Sequence, residues 1–148
     1  MAFLPVRHMI SPSDLFRMPV DDFQAFVGTY LCTAANSLID NADGHHTCAV
    51  EDSVLEAAIT DCSTFVEEVC LNIYTPDSRV GSVEAAARGL WGAASGTVDT
   101  AFAVEYFQTD TIRLFQEAAK GAILPKCNLL VSRDAKVNGT RLHFGPVI

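Results

Sequence analysis

A chain of 148 residues fits one compact domain of the usual size, about 100 to 200 residues, and leaves little room for a multidomain machine. With 49% hydrophobic and only 19% charged residues, against roughly 25% charged in an average domain, disorder is excluded for most of the chain. The apolar surplus has to be hidden in a core or against partners. Ten Lys+Arg against 18 Asp+Glu, a formal charge of -8, disfavour specific reading of DNA or RNA, which needs clustered cations.

Met1 to Met9 includes Arg7 and lacks a continuous apolar stretch, so no secretory signal is expected. Ser11-Pro12-Ser13-Asp14 supplies an N-cap, a proline suited to the first helical position and an early carboxylate, which predicts a short helix ending near Pro19. A longer helix follows from about Asp21 to Ile39, where Phe23, Phe26, Val27, Tyr30, Leu31, Ala34, Ala35 and Leu38 recur at three and four. The uncharged run from Phe23 to Ile39 contains Gln24, Thr29, Thr33, Asn36 and Ser37, too polar for a bilayer span, so no membrane association is expected. The polar stretch Asp40 to Thr47 ends this helix.

The strongest helical pattern runs from about Ser53 to Ile73. Ser53 and Glu56 have capping-box spacing, and Leu55, Ile59, Cys62, Phe65, Val66, Val69 and Ile73 form one stripe, with Glu56, Thr60, Ser63, Thr64 and Glu67 opposite. After turn chemistry at Thr75-Pro76-Asp77-Ser78, a further helix is marked by Val83, Ala86, Ala87, Leu90, Trp91 and Ala94, and is weakened at its end by Gly92, Ser95 and Gly96. Gly89, Gly92 and Gly96 suit close packing or a break. From about Asp99 to Lys120, Phe102, Tyr106, Ile112, Phe115 and Ala119 continue the helical period, with Gly121 as a C-terminal cap, although Phe102 to Phe107 also reads as a short strand. Beyond Pro125 the texture becomes strand-like, with Leu129-Leu130-Val131 and Arg141-Leu142-His143-Phe144 flanking Asn138-Gly139, a dipeptide that favours a type I′ hairpin turn. The predicted fold is mainly α: a bundle of about four helices over residues 1–125, followed by a β-hairpin or extended arm over 126–148.

The chemistry-bearing residues are sparse. His45, His46 and Cys48, preceded by Asp43, offer zinc-type ligands. A structural zinc site needs four ligands, however, and Cys32 and Cys62 fit apolar helix stripes, so a polar loop without metal is expected. The five cysteines (Cys32, Cys48, Cys62, Cys70 and Cys127) are odd in number and lack paired spacing. They read as small core residues of a reduced, cytoplasmic setting. Cys62 follows Asp61, which opposes thiolate formation, and Glu67 and Glu68 belong to a solvated helical face. Neither a dinucleotide fingerprint nor a Walker loop is present. No catalytic residue, cofactor or metal is expected.

Charge is unevenly placed. From Lys126 onward Lys126, Arg133, Lys136 and Arg141 face Asp134 alone, a net +3 that leaves -11 on residues 1 to 125. A lone hairpin is marginal in water, and the segment ends on Phe144-Gly145-Pro146-Val147-Ile148. It is therefore expected to be an interaction arm, with Leu129, Leu130, Arg133, Arg141, Leu142 and Phe144 as its contact residues.

The order of these elements resembles a known family. Glu51-Asp52-Ser53-Val54-Leu55-Glu56-Ala57-Ala58-Ile59-Thr60-Asp61-Cys62-Ser63, followed by Phe65-Val66-Glu67 and Tyr74, is similar to the first long helix of head-tail adaptor, or connector, proteins of tailed bacteriophages. Val83 to Ala94 is similar to their alanine-rich second helix. Phe107, Leu114, Ala118 or Ala119, and Gly121 resemble the close of their third, and Ile10-Ser11-Pro12-Ser13-Asp14-Leu15 their short N-terminal helix. The resemblance covers about half to two thirds of the chain and departs from the family in the long helix and loop over residues 20–50. It implies a structural virion protein assembled in the bacterial host cytoplasm. Such a protein forms a dodecameric ring on the portal protein, contacts downstream neck or tail proteins, lets DNA pass through and performs no catalysis. An alternative from composition is a small acidic cytoplasmic binding protein, such as an inhibitor or immunity protein, whose carboxylates cover a cationic target.

Overall fold

A computed structural model of the protein describes residues 18–38, 48–74, 81–96, 102–134 and 139–145. The short helix expected after Ser11, the Asp43, His45 and His46 loop and the ending after Gly145 lie outside the described residues. Within them, the architecture is a bundle of four helices, α1 (Val20–Leu38), α2 (Asp52–Ile73), α3 (Ser82–Ser95) and α4 (Thr109–Ala119), with a three-stranded sheet of β1 (Cys48–Val50), β2 (Leu129–Asp134) and β3 (Gly139–Phe144). A 3-10 turn, Leu124–Lys126, leads from α4 to β2.

The bundle follows from apolar spacing. α1 buries Phe23, Phe26, Val27, Tyr30, Leu31, Ala34 and Ala35, and α2 buries Val54, Leu55, Ala58, Ile59, Cys62, Phe65, Val66, Val69 and Ile73, in each case a stripe at three and four. Phe65 is the hub of the core, with ring centroids 5.9 Å from Phe26, 6.0 Å from Phe102 and 5.6 Å from Phe115. α3 approaches closely because its inner positions are small. A Cβ at Gly89 would run into the Phe102 ring, so glycine is what lets that ring sit against the helix. Gly96, at φ 71°, adopts the left-handed conformation that ends α3, its N–H donating to the Gly92 carbonyl at 3.1 Å.

Several expectations are corrected. The last helix spans only Thr109–Ala119. Residues 102–108 are neither helix nor strand but a turn, in which the Tyr106 and Phe107 N–H groups both donate to the Ala103 carbonyl. Burial of Phe102 and Phe107 against Phe115 holds that irregular path, and tertiary packing overrides the helical period. Ser53 does not cap α2. Glu51 occupies the cap position, since its carbonyl accepts from Leu55 at 3.0 Å, because β1 runs straight into the helix. Ser63 is buried, whereas Cys32 is exposed. Gly121 does not adopt a left-handed cap; among the described glycines only Gly81 and Gly96 have positive φ.

The sheet has the order β1-β3-β2, with β1 parallel and β2 antiparallel to β3. β1 comes from residues 48–50, so the C-terminal hairpin shares its sheet with a strand that precedes α2. The register pairs Asp134 with Gly139. Gly139 is therefore a strand residue and not the second residue of a type I′ turn; Asn138 lies outside the described residues. Strand alternation sends Leu129, Val131, Leu142, Phe144 and Val50 to the face packed on the helices and Leu130, Ser132, Arg141, His143 and Ala49 to the outer face.

Candidate functional site

The expected arm residues divide between the two faces. Leu129 and Leu142 are buried in the main core and Phe144 packs against it, so the segment is a hairpin seated on its own helices and not a free extended arm. Leu130 is 38% exposed on the outer face, where Arg141 is half-buried. The backbone of Arg133 pairs with Thr140. An amphipathic hairpin cannot present all its apolar residues to a partner, because period-two alternation commits half of them to one side.

What seats the hairpin is a buried carboxylate. Asp61, on the inner side of α2, is 3% exposed. Its Oδ1 accepts from the Ile123 N–H at 2.8 Å, and its Oδ2 accepts from the Leu124 N–H at 2.8 Å and from the Tyr30 hydroxyl at 2.9 Å. One side chain thus ties α1, α2 and the start of the 3-10 turn together, satisfying backbone donors that no helical carbonyl reaches. Burial, reinforced by the adjacent Asp61 charge, pushes the Tyr30 phenol far above its ordinary range. Burial first and Asp61 second push the Cys62 thiol well above its own, which leaves Cys62 a protonated core residue and not a nucleophile. The signal in the sequence was a lone aspartate at the step between Ala58-Ile59 and Cys62-Phe65, since a carboxylate inside an apolar stripe requires hydrogen-bond donors from elsewhere.

A second polar pair lies on the outer face of the hairpin. Ser132 Oγ is 2.7 Å from His143 Nε2, and His143 Nδ1 is 2.8 Å from the Phe144 carbonyl. A carbonyl only accepts, so Nδ1 carries a proton and donates; in the neutral imidazole Nε2 is then the acceptor for the Ser132 hydroxyl. Sequence reasoning passed over this pair because the residues are eleven apart and only the hairpin register brings them together. Cross-strand neighbours place Leu130 opposite His143 and Arg141 opposite Ser132.

The Glu67 and Glu68 pair on α2 is exposed, as expected of a solvated face. Among the described residues no group of three or more His, Cys, Asp or Glu side chains is placed to hold a metal; of the proposed ligands, Cys48 contributes its backbone to β1. No described helix is long and apolar enough to cross a membrane. Comparison with known proteins finds no family model, no curated protein and no solved structure that matches the chain.

Proposed function

We propose that the chain is a structural head-tail adaptor subunit that assembles as a ring on the portal of a tailed phage. The observation that carries this reading is the element order together with the role of one residue. An acidic-starting long helix, an alanine-rich helix and a third helix precede a C-terminal hairpin. The aspartate of the Ala58-Ile59-Thr60-Asp61-Cys62-Ser63 stretch on which the resemblance rests is the residue that anchors the approach to that hairpin. Copies of the chain would meet through surfaces outside the helical core, in a closed ring around the DNA path, with the virion as its location. Portal and downstream neck proteins are its partners, and no cofactor takes part.

Light scattering on a size-exclusion column, combined with electron microscopy of the protein mixed with purified portal rings of a tailed phage, tests this reading. Rings of the chain, alone or capping the portal, are expected. A chain that stays monomeric and leaves the portal bare overturns the proposal. That result favours the small acidic binding protein, for which the exposed Glu56, Glu67 and Glu68 of α2 would supply the surface facing a cationic target.

A further inference from the structure

The outer face of the hairpin holds a nucleophile, a base and a group that orients the base. Ser132 is exposed and its Oγ lies 2.7 Å from His143 Nε2, to which it donates when the imidazole is neutral. The Phe144 carbonyl, 2.8 Å from Nδ1, fixes the ring in the tautomer that leaves Nε2 free to accept. A hydroxyl within hydrogen-bond reach of a base that is itself held by a third group is the arrangement that activates serine for acyl transfer. Two neighbours on the same face suit that reaction. Leu130, directly opposite His143 and two residues before Ser132, is 38% exposed and offers an apolar footing beside the hydroxyl. Arg141, opposite Ser132, brings positive charge to the face on which a tetrahedral oxyanion would form.

We propose that Ser132 is an acyl-acceptor site, with His143 as its general base and Leu130 as the footing for a short apolar acyl group carried on an activated ester. In the step, Ser132 Oγ forms a bond to the acyl carbon while its proton passes to His143 Nε2. The bond from that carbon to the leaving oxygen then breaks, and the leaving group departs with the electron pair. The imidazolium returns its proton to the leaving group or to water, so the products are O-acyl Ser132 and the free alcohol or phenol. The site goes beyond the structural role proposed above and is independent of ring assembly, which is read by a different measurement.

The test uses the full chain and p-nitrophenyl butyrate, following p-nitrophenolate release and mapping the butyryl group by mass spectrometry. Ser53, exposed on α2, serves as the internal reference within the same molecule. A stoichiometric burst is expected, with butyryl on Ser132 forming on the order of 100-fold faster than on Ser53, the lower end of what a positioned general base contributes. Ser132→Ala should abolish the burst, and His143→Gln should slow it by a similar factor with an unchanged circular dichroism spectrum. Butyryl spread evenly over Ser53, Ser132 and the lysines, or a burst that persists in either variant, overturns the proposal. Because the ratio of the two serines is read in the native protein, a variant that fails to fold does not remove the test.

Discussion

Asp61 and the Ser132–His143 pair are both small polar clusters built from residues distant in sequence, and they differ in what surrounds them. Around Asp61 the core is closed: each hydrogen bond joins one structural element to another, and burial holds Tyr30 and Cys62 in their protonated forms. On the outer face of the sheet, Ser132 is exposed and its partner is a base. Hydrogen bonds of comparable length therefore have opposite consequences. In the interior they fix where the hairpin sits, because an unpaired buried donor is costly. At the surface the same contact costs little to break and leaves a hydroxyl that reagents can reach.

This contrast predicts a graded series of effects. The largest should come from the apolar side of the core: Phe65→Ala removes the ring shared by three aromatic neighbours and should lower stability by roughly 3 to 5 kcal/mol. A urea midpoint unchanged within error would contradict the burial of this face. Asp61→Ala should cost about 3 kcal/mol, since it strands the Tyr30 hydroxyl and the Leu124 N–H in the interior, at about 1 to 3 kcal/mol for each unsatisfied group, and frees the half-buried Ile123 N–H. Amide exchange should quicken at Ile123 and Leu124 before it does so in α1. If those two amides exchange no faster than in the native protein, the carboxylate is not what anchors the 3-10 turn.

Alkaline pH separates the two clusters by a different route. Tyr30 and Cys62 hold their protons more tightly folded than unfolded, so their contribution is complete below the unfolded pKa values and is lost as pH rises above them. From about pH 8.5 for the thiol and about pH 10 for the phenol, the unfolded chain deprotonates first, and stability should fall by up to about 1.4 kcal/mol per pH unit for each group. Unfolding midpoints measured between about pH 8 and 11 test this, and Cys62→Ala should remove the earlier limb. A Cys62→Ala profile that superimposes on the native one would show that the thiol plays no part.

Gly89→Ala should cost about 2 kcal/mol by driving a methyl group into the Phe102 ring. A crystal structure of this variant with Phe102 unmoved would argue against that close approach. The smallest effect belongs to the open cluster: Ser132→Ala, at an exposed position, should stay within about 0.5 kcal/mol of the native protein. A loss as large as that of Asp61→Ala would mean that the outer pair is structural and that the contrast between the clusters fails.

Much of the helical framework was legible in the amino-acid order, because a helix buries a face through residues three and four apart and that spacing is written locally. The extents of α1, α2 and α3 follow their apolar stripes to within a residue or two. The strands after Pro125 were equally visible, as strand-like residues on both sides of Asn138-Gly139. Where packing outweighs local preference the fold departs from the local pattern: Phe102 and Tyr106 carry a helical period, yet residues 102–108 turn so that Phe102 and Phe107 meet Phe115, and Asn138-Gly139 reads as a tight turn, yet the register places Gly139 in a strand. What only the tertiary structure decided is non-local: the pairing of Cys48–Val50 with β3, the capture of the Ile123 and Leu124 amides by Asp61, and the meeting of Ser132 with His143. Each joins groups separated by eleven or more residues. Local sequence specifies which side chains need partners, and only the folded path specifies which partners they reach.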